Sequence, residues 1–147
     1  MSIERVLEEL VVSGSDDWVM ALEVVGLVRS EMGLDDPAAV RRAVIDVVTA
    51  AVLKGWVEVG ETPRGLGFQP WKIPLPEALA RIEMRWDALS EPFPSLGEVF
   101  WLANTPKGAR EAERILAHPS PDGTMDARLE NLPSDEAVNR IRRRWDG

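Results

Sequence analysis

The clearest signal in the sequence is a long helix with a marked start and end, followed at once by a strand. Asp36 before Pro37 is a strong helix start, because the carboxylate can accept a hydrogen bond from a free amide and proline lacks the N–H that would need a partner. Apolar residues then recur at the 3.6-residue period of a helix until Gly55, after which they alternate as in a strand. The chain is therefore predicted to form a helix over 37–54 and a strand over 56–59.

The other helical segments are bounded by the same kinds of residues. We expect Ser15 and Asp16 to cap the second helix of the chain and Thr105 to cap the fifth. Glu77 and Arg81, four residues apart on the fourth helix, can form an ion pair. Together these segments predict a mainly helical chain. Apolar periodicity places the further helices over residues 2–12, 17–32, about 75–90, 106–117 and 134–145.

Three short segments have the pattern of strands. Residues 98–103, EVFWLA, are continuously apolar after the first residue, which predicts a strand covered on both faces. Residues 68–73 predict either a second strand or an extended segment bounded by prolines. With the strand over 56–59 they indicate a small sheet, so the predicted fold class is mainly α with a small β element (α+β). The 147 residues suffice for one domain with its own core, although the chain has no cysteine to form a disulfide.

Two segments of this pattern resemble bacterial regulators of the winged helix-turn-helix superfamily. AVLKGWVEVG, residues 51–60, resembles the end of a recognition helix entering the first wing strand. EVFWLANTPKGAREAERIL, residues 98–116, resembles the second wing strand followed by the LTxxG turn and trailing helix of those regulators. The resemblance covers residues 2–116 in outline. It implies a winged-helix-like domain over residues 1–117, followed by a loop and a C-terminal helical extension over 118–147.

The chain departs from this family at the wing. In the family a short loop joins the two wing strands, whereas Gly60 and Glu98 are separated here by 37 residues. Those residues include the whole helix predicted over about 75–90. We interpret that helix as an insertion that rebuilds the wing.

Cations that could recognise DNA are few on the helix over 37–54, which the resemblance makes the recognition helix. Binding to duplex DNA needs cations that face the phosphates and Arg, Lys, Asn or Gln side chains aimed at base edges. The outward side of this helix has no Asn or Gln, and acidic residues lie at both ends of the preceding helix. A DNA-binding transcriptional regulator is therefore the alternative function. Its candidate nucleic-acid-binding residues are Arg41, Arg42, Lys54 and Arg64.

Acidic side chains are concentrated near the start of the chain. The formal net charge is −8, and residues 1–36 contain nine acidic and two basic side chains, a balance of −7. Acids that only keep a protein soluble would explain this charge, but an acidic surface with aromatic anchors also suits protein recognition. The leading function is non-enzymatic recognition of another, basic protein, as by an immunity protein, an antitoxin or a regulator. The candidate protein-binding residues are Asp16, Asp17, Asp35, Asp36 and Trp71.

No pattern of catalytic residues stands out, so the chain is not predicted to be an enzyme. The sole histidine, His118, precedes a proline in a predicted loop and has no acidic neighbour close in sequence. We expect no cofactor and no metal. No apolar run approaches the roughly 20 residues of a membrane span, and the N-terminus lacks a signal-peptide pattern, so a cytoplasmic protein without a membrane partner is predicted. Apolar residues in the terminal helices leave a homodimer open.

Overall fold

The computed structural model describes residues 3–63 and 67–118. Within these ranges the chain is mainly helical with one small sheet, which confirms the predicted α+β class. The helix predicted over 134–145 and the candidate residue Arg64 lie outside the described residues. The helices are α1 Ile3–Ser13, α2 Ala21–Met32, α3 Pro37–Leu53, α4 Leu75–Asp87 and α5 Pro106–Ala117, and the strands are β1 Val19–Met20, β2 Val57–Glu61, β3 Gln69–Pro70 and β4 Trp101–Asn104.

Two of the predicted helix starts are confirmed in detail. The Asp36 carboxylate accepts a hydrogen bond from the Ala39 amide at 3.0 Å, and the next residue, Pro37, is the first of α3. At α5 the Thr105 hydroxyl accepts a hydrogen bond from the Gly108 amide at 3.0 Å, again just before a proline. Local chemistry places these starts, because a cap needs only residues that are adjacent in the chain.

The predicted start of α2 is wrong. Val19 and Met20 form β1, which pairs with β4, so the helix begins later than its apolar pattern suggests. Ser15 and Asp16 therefore lie too far upstream to cap it. The Glu23 carboxylate instead accepts a hydrogen bond from the Met20 amide at 3.3 Å. A strand of two residues leaves no periodic pattern in the sequence, and its partner is distant along the chain.

The strands of the described residues form one antiparallel sheet in the order β1-β4-β2-β3. β4 is central, with Leu102 opposite Val19 on one side and opposite Val59 on the other. The predicted burial of the apolar run is confirmed for residues 99–102, but β4 includes only the end of the run. Val99 has φ 75°, outside the extended region, and this keeps the first part of the run out of the strand.

The main core lies between the sheet and helices α1, α2 and α3. Valine and leucine side chains from these elements fill it, and α4 adds Ile82 and Trp86, which are 0% and 4% exposed. α4 therefore packs onto a core that the first three helices and the sheet already form. A second, smaller cluster joins α1 to α5 through Val11, Val12, Ala112 and Ile115.

The start of α5 packs directly on the backbone just after α3. A Cβ at Gly108 would lie 2.0 Å from the Trp56 carbonyl oxygen, so a larger residue does not fit without a backbone shift. The same carbonyl accepts a hydrogen bond from the Thr105 amide at 2.9 Å. This contact joins the exit from α3 to the turn that precedes α5.

Candidate functional site

Arg41, near the start of α3, is held by α4 in what we call the Arg41 cluster: Arg41, Glu83, Trp86 and Asp87. Its Nε donates a hydrogen bond to a Glu83 carboxylate oxygen at 2.7 Å, and Nη2 lies 2.8 Å from an Asp87 carboxylate oxygen. Nη2 also donates to the Glu83 carbonyl at 3.0 Å. The guanidinium carbon lies 5.6 Å from the centre of the Trp86 ring. The cation is thus part of the contact between α3 and α4.

The Arg41 cluster is negatively charged as a whole. Burial alone would lower the pKa of Arg41, but its hydrogen bonds to Glu83 and Asp87 and the charges of these residues outweigh burial and raise the pKa. The guanidinium therefore stays charged, and two carboxylates against one cation leave a net negative charge. A phosphate that approached the cluster would therefore meet no excess of positive charge from it.

α4 is fixed in this position by core side chains. Ile82 and Trp86 belong to the same buried cluster as the valines of α3. The Trp86 ring nitrogen also donates a hydrogen bond to the Pro92 carbonyl at 3.1 Å, which ties the end of α4 to the loop that follows. Burying side chains of this size stabilises by about 1.5–3 kcal/mol each or more. Separating α4 from α3 would therefore cost much more than breaking a surface ion pair.

The exposed side of α3 does not gather the predicted nucleic-acid-binding residues into one patch. Arg42 is exposed, but so is Asp46 one turn later. Lys54, just past the helix, lies over the Trp56 ring with its nitrogen 5.1 Å from the ring centre. At about 1.5 Å per residue, Arg42 and Lys54 are roughly 18 Å apart along the helix. Arg64, the remaining candidate, lies outside the described residues.

The acidic residues predicted to bind a protein partner lie at opposite ends of α2. Asp16 and Asp17 precede the helix and Asp35 and Asp36 follow it, and 12 residues of helix separate the two pairs by roughly 18 Å. Asp17 accepts a hydrogen bond from the next amide in the chain at 3.1 Å. Asp35 lies 3.3 Å from an Arg29 nitrogen, and Asp36 caps α3. The structure therefore does not bring these four carboxylates together, and local contacts account for three of them.

Trp71 lies in a second cluster, the Trp71 cluster, made of Trp71, Glu61, Arg81 and Arg85. The Trp71 ring nitrogen donates a hydrogen bond to a Glu61 carboxylate oxygen at 2.8 Å. The guanidinium carbons of Arg81 and Arg85 lie 4.8 and 5.1 Å from the ring centre. Both arginines reach one ring because residues four apart on a helix lie on the same face. The ring is half-buried, with part of it packed against the core.

The two arginines of the Trp71 cluster differ in their other contacts. Arg85 lies 3.2 Å from the Glu61 carboxylate and donates a hydrogen bond to the Val99 carbonyl at 3.4 Å. Arg81 forms no ion pair and no hydrogen bond with any residue of the described ranges. Its contact there is the cation–π contact with the Trp71 ring. Glu77 and Arg81, which helical spacing allows to pair, form no ion pair in the described residues. Within residues 3–63 and 67–118, the N–H donors of Arg81 therefore have no hydrogen-bond acceptor.

Sequence reasoning identified Trp71 but missed its two arginines. A signal was present, since Arg81 and Arg85 are four residues apart on a predicted helix that begins shortly after a tryptophan. The path of the chain between β3 and α4 was not predictable. Lys72 has φ 51°, a left-handed conformation uncommon outside glycine, and this turn lies between the ring and the helix that carries the arginines.

No group of three or more Asp, Glu or His side chains in residues 3–63 and 67–118 is close enough to hold a metal ion. His118 is exposed at the end of α5. None of the helices in the described ranges is long and apolar enough to cross a membrane.

Comparison of the chain with protein-family models, with characterised proteins and with solved structures finds no match. The function is therefore inferred from the Arg41 cluster and the Trp71 cluster.

Proposed function

We propose that this chain is a non-enzymatic protein-recognition domain built on a winged-helix framework. The observation that carries the proposal is the Arg41 cluster, in which α4 packs against α3. Two carboxylates of α4 bind Arg41, the cation of α3 that is best placed to contact DNA. A helix that reads an operator needs free cations for phosphates and free polar side chains for base edges. α3 offers one exposed arginine beside an exposed aspartate, so a protein partner is favoured over DNA.

The winged-helix framework is supported by the pairing of the two segments that resemble wing strands. β2 and β4 are antiparallel neighbours, with Val59 opposite Leu102. In this framework α3 has the place of the recognition helix, and α4 is the insertion between the wing strands. An insertion that packs back onto the recognition helix supports a change of role from DNA recognition to protein recognition.

The overall charge supports a partner that is not a polyanion. Residues 3–63 and 67–118 contain 11 basic and 19 acidic side chains, which leaves −8. A field of this sign repels nucleic acid at long range and raises the association rate with a basic protein. The partner favoured is therefore a protein with more cations than anions on the surface that approaches this domain.

The Trp71 cluster supplies the side chains expected at the centre of such an interface. Tryptophan and arginine are the residues most enriched among those that dominate the binding energy of protein complexes. Trp71, Arg81 and Arg85 lie together on one surface. Trp71 is only half-buried, so a partner can cover the rest of the ring together with Arg81.

Binding to duplex DNA is the first arm of the test. We expect the purified protein not to retard duplex DNA at moderate salt, because the cations of α3 are occupied or balanced by acids. A mobility shift with a steep salt dependence, abolished by Arg41→Ala together with Arg42→Ala, would overturn the proposal in favour of a transcriptional regulator.

Capture of a protein partner from the cells that produce this chain is the second arm. Arg81→Glu reverses the charge at the Trp71 cluster, and Arg110→Glu makes the same change at an exposed position of α5, which packs on α1. We expect a partner that the unmodified protein and the Arg110 variant both retain and that the Arg81 variant loses. Retention of no protein by any of the three would contradict the proposal.

A further inference from the structure

We infer that Trp71 and Arg81 form a receptor for a single carboxylate group of the partner protein, an inference that rests on the proposed function. The Arg81 guanidinium lies 4.8 Å from the Trp71 ring centre and has no acidic partner in the described ranges. Arg42 and Arg110 likewise form no ion pair in those ranges, but both are exposed, whereas Arg81 is half-buried against a tryptophan ring. An acidic group from outside the chain would complete it.

Stacking on the ring prepares Arg81 to bind. The contact with the ring uses none of the Arg81 N–H donors in a hydrogen bond, so within the described ranges those donors are left for a carboxylate. Arg81 is half-buried, which limits the number of conformations that binding must freeze. The two oxygens of a carboxylate match two parallel N–H donors of such a fork.

The ring is itself held in place by the other half of the cluster. Glu61 accepts the hydrogen bond from the Trp71 ring nitrogen at 2.8 Å and lies 3.2 Å from an Arg85 nitrogen. Arg85 donates in turn to the Val99 carbonyl. These contacts fix Trp71 and use Arg85, so Arg81 is the member of the cluster left to take a ligand.

The charges around the ring favour one negative charge rather than several. Lys72, the residue after Trp71, is exposed and forms no ion pair in the described residues. Among the described residues, Lys72 next to Trp71, Arg81 and Arg85 against Glu61 and the exposed Glu77 one turn before Arg81 sum to a charge of +1. A single carboxylate neutralises it, whereas a phosphate chain would meet the acids around it. The ligand is therefore a chain terminus or an Asp or Glu side chain on a partner that is otherwise neutral or basic.

The test follows the indole N–H signal of Trp71 by NMR in the ¹⁵N-labelled full chain. Trp71→Phe assigns that signal among the six tryptophans. The probes are N-acetylglycine, which mimics a chain terminus, the α-amide of N-acetylglutamate, which mimics a side chain, and inorganic phosphate. All are added at constant ionic strength against chloride. We expect both carboxylates to shift the signal saturably with dissociation constants of about millimolar, as befits ligands of this size.

Matched variants identify the receptor. Arg81→Lys keeps the charge but loses the fork and the flat stacking face, so we expect carboxylate binding to weaken by about tenfold or more. Arg110→Lys makes the same change on α5 and is expected to leave binding unaltered. Thermal unfolding of each variant checks that it folds, and Arg81→Met, which keeps the apolar stem, replaces Arg81→Lys if that variant does not.

Three results would overturn the receptor. They are shifts that stay linear with carboxylate concentration, equal binding by the Arg81→Lys and unmodified proteins, and phosphate binding more tightly than both carboxylates, which would indicate a phosphorylated partner or nucleic acid. The inference and the proposed function fail separately. A captured partner that tolerates Arg81→Glu removes the receptor but leaves protein recognition standing. Saturable carboxylate binding without any captured partner supports the carboxylate site but removes the support for protein recognition.

Discussion

The Arg41 cluster and the Trp71 cluster are built from the same parts and differ in what completes them. In each, an arginine lies over a tryptophan ring: Arg41 is 5.6 Å from the centre of Trp86, and Arg81 is 4.8 Å from the centre of Trp71. α4 supplies two carboxylates to Arg41, whereas the described residues supply none to Arg81. Arg41 is thus held within the fold by acids of α4, whereas the described residues provide no acid for Arg81.

The two rings differ in the same sense. Trp86 is 4% exposed and donates its ring N–H to a backbone carbonyl, that of Pro92, so it is a core residue. Trp71 is half-buried and donates its ring N–H to the Glu61 carboxylate, at the edge of the core. The Trp86 ring is therefore part of the core, whereas the Trp71 ring is partly exposed to solvent.

The largest expected effect is on stability at the Arg41 cluster. Trp86→Ala removes a buried ring and is expected to lower the free energy of unfolding by about 3–5 kcal/mol. Trp71→Ala, the matched change, is expected to cost less because Trp71 is only partly buried. Denaturant unfolding of both variants measures the difference. Equal losses would break the distinction between a structural ring and a binding ring.

The next effect separates the arginines. Arg41→Ala leaves Glu83 and Asp87 without their cation and is expected to cost about 1–2 kcal/mol, from lost hydrogen bonds and lost stacking on Trp86. Arg81→Ala loses only its stacking, so it is expected to cost about 0.5–1 kcal/mol. Denaturant unfolding decides the order of the two, and Arg42→Ala, with a change within about 0.5 kcal/mol, is the surface control. A larger loss at Arg81 would make it the structural arginine.

A smaller effect concerns affinity at the Trp71 cluster. Glu61→Gln removes a negative charge but keeps an oxygen that can accept from the Trp71 ring nitrogen. Arg85 then lacks its acid, so we expect carboxylate affinity to rise about two- to fivefold. The NMR titration of the Trp71 indole signal measures it. Glu77→Gln is the control, with a smaller rise expected since Glu77 pairs with no arginine in the described residues. A fall in affinity would mean that Glu61 is needed to hold the ring.

The smallest expected effect is on the pH dependence of stability, at Glu23, a carboxylate that forms no ion pair with an arginine in the described ranges. Burial raises its pKa, the Met20 amide opposes this, and the charge of Asp17 adds to the rise from 4.5. Its contribution to stability is therefore full below about pH 4.5 and is lost as pH rises through the folded-state pKa. Glu23→Gln is expected to gain stability over the unmodified protein between about pH 4 and about pH 7, by denaturant unfolding at both.

A carboxylate with the opposite shift provides the control for this pH dependence. Hydrogen bonds from the Ser95 amide and hydroxyl lower the pKa of Glu98, so its contribution is present above the unfolded value and is lost as pH falls. Glu98→Gln is therefore expected to change relative stability in the opposite direction to Glu23→Gln over the same range. Parallel pH profiles for the two variants would contradict both assignments.

How far the fold was predictable depends on the distance over which each feature is decided. The starts of α3 and α5 were predicted correctly because Asp36 and Thr105 act on amides three residues away. The start of α2 was predicted wrongly because Val19 and Met20 pair with β4, far along the chain. Apolar periodicity continued through the strand, and a local pattern does not register a distant partner.

The candidate site was predictable in its residues and unpredictable in its pairings. Trp71 and Arg41 were both singled out from the sequence, the first for protein and the second for DNA. Glu83 and Asp87, which form ion pairs with Arg41, lie more than 40 positions away along the chain. Only the packing of α4 on α3 brings them to Arg41. Spacing alone allowed an ion pair of Arg81 with Glu77, but the contact of Arg81 in the described residues is with a ring from outside the helix.

The sequence by itself determined the class of the fold, the caps of α3 and α5, and the excess of acids. These features depend on composition and on residues close together in the chain. Only the tertiary structure decided that Arg41 pairs with acids of α4 and that Arg81 has no acidic partner in the described residues. That choice depends on where α4 comes to rest, and burial of Ile82 and Trp86 against α3 decides it, because burying these large apolar side chains outweighs any single ion pair at the surface.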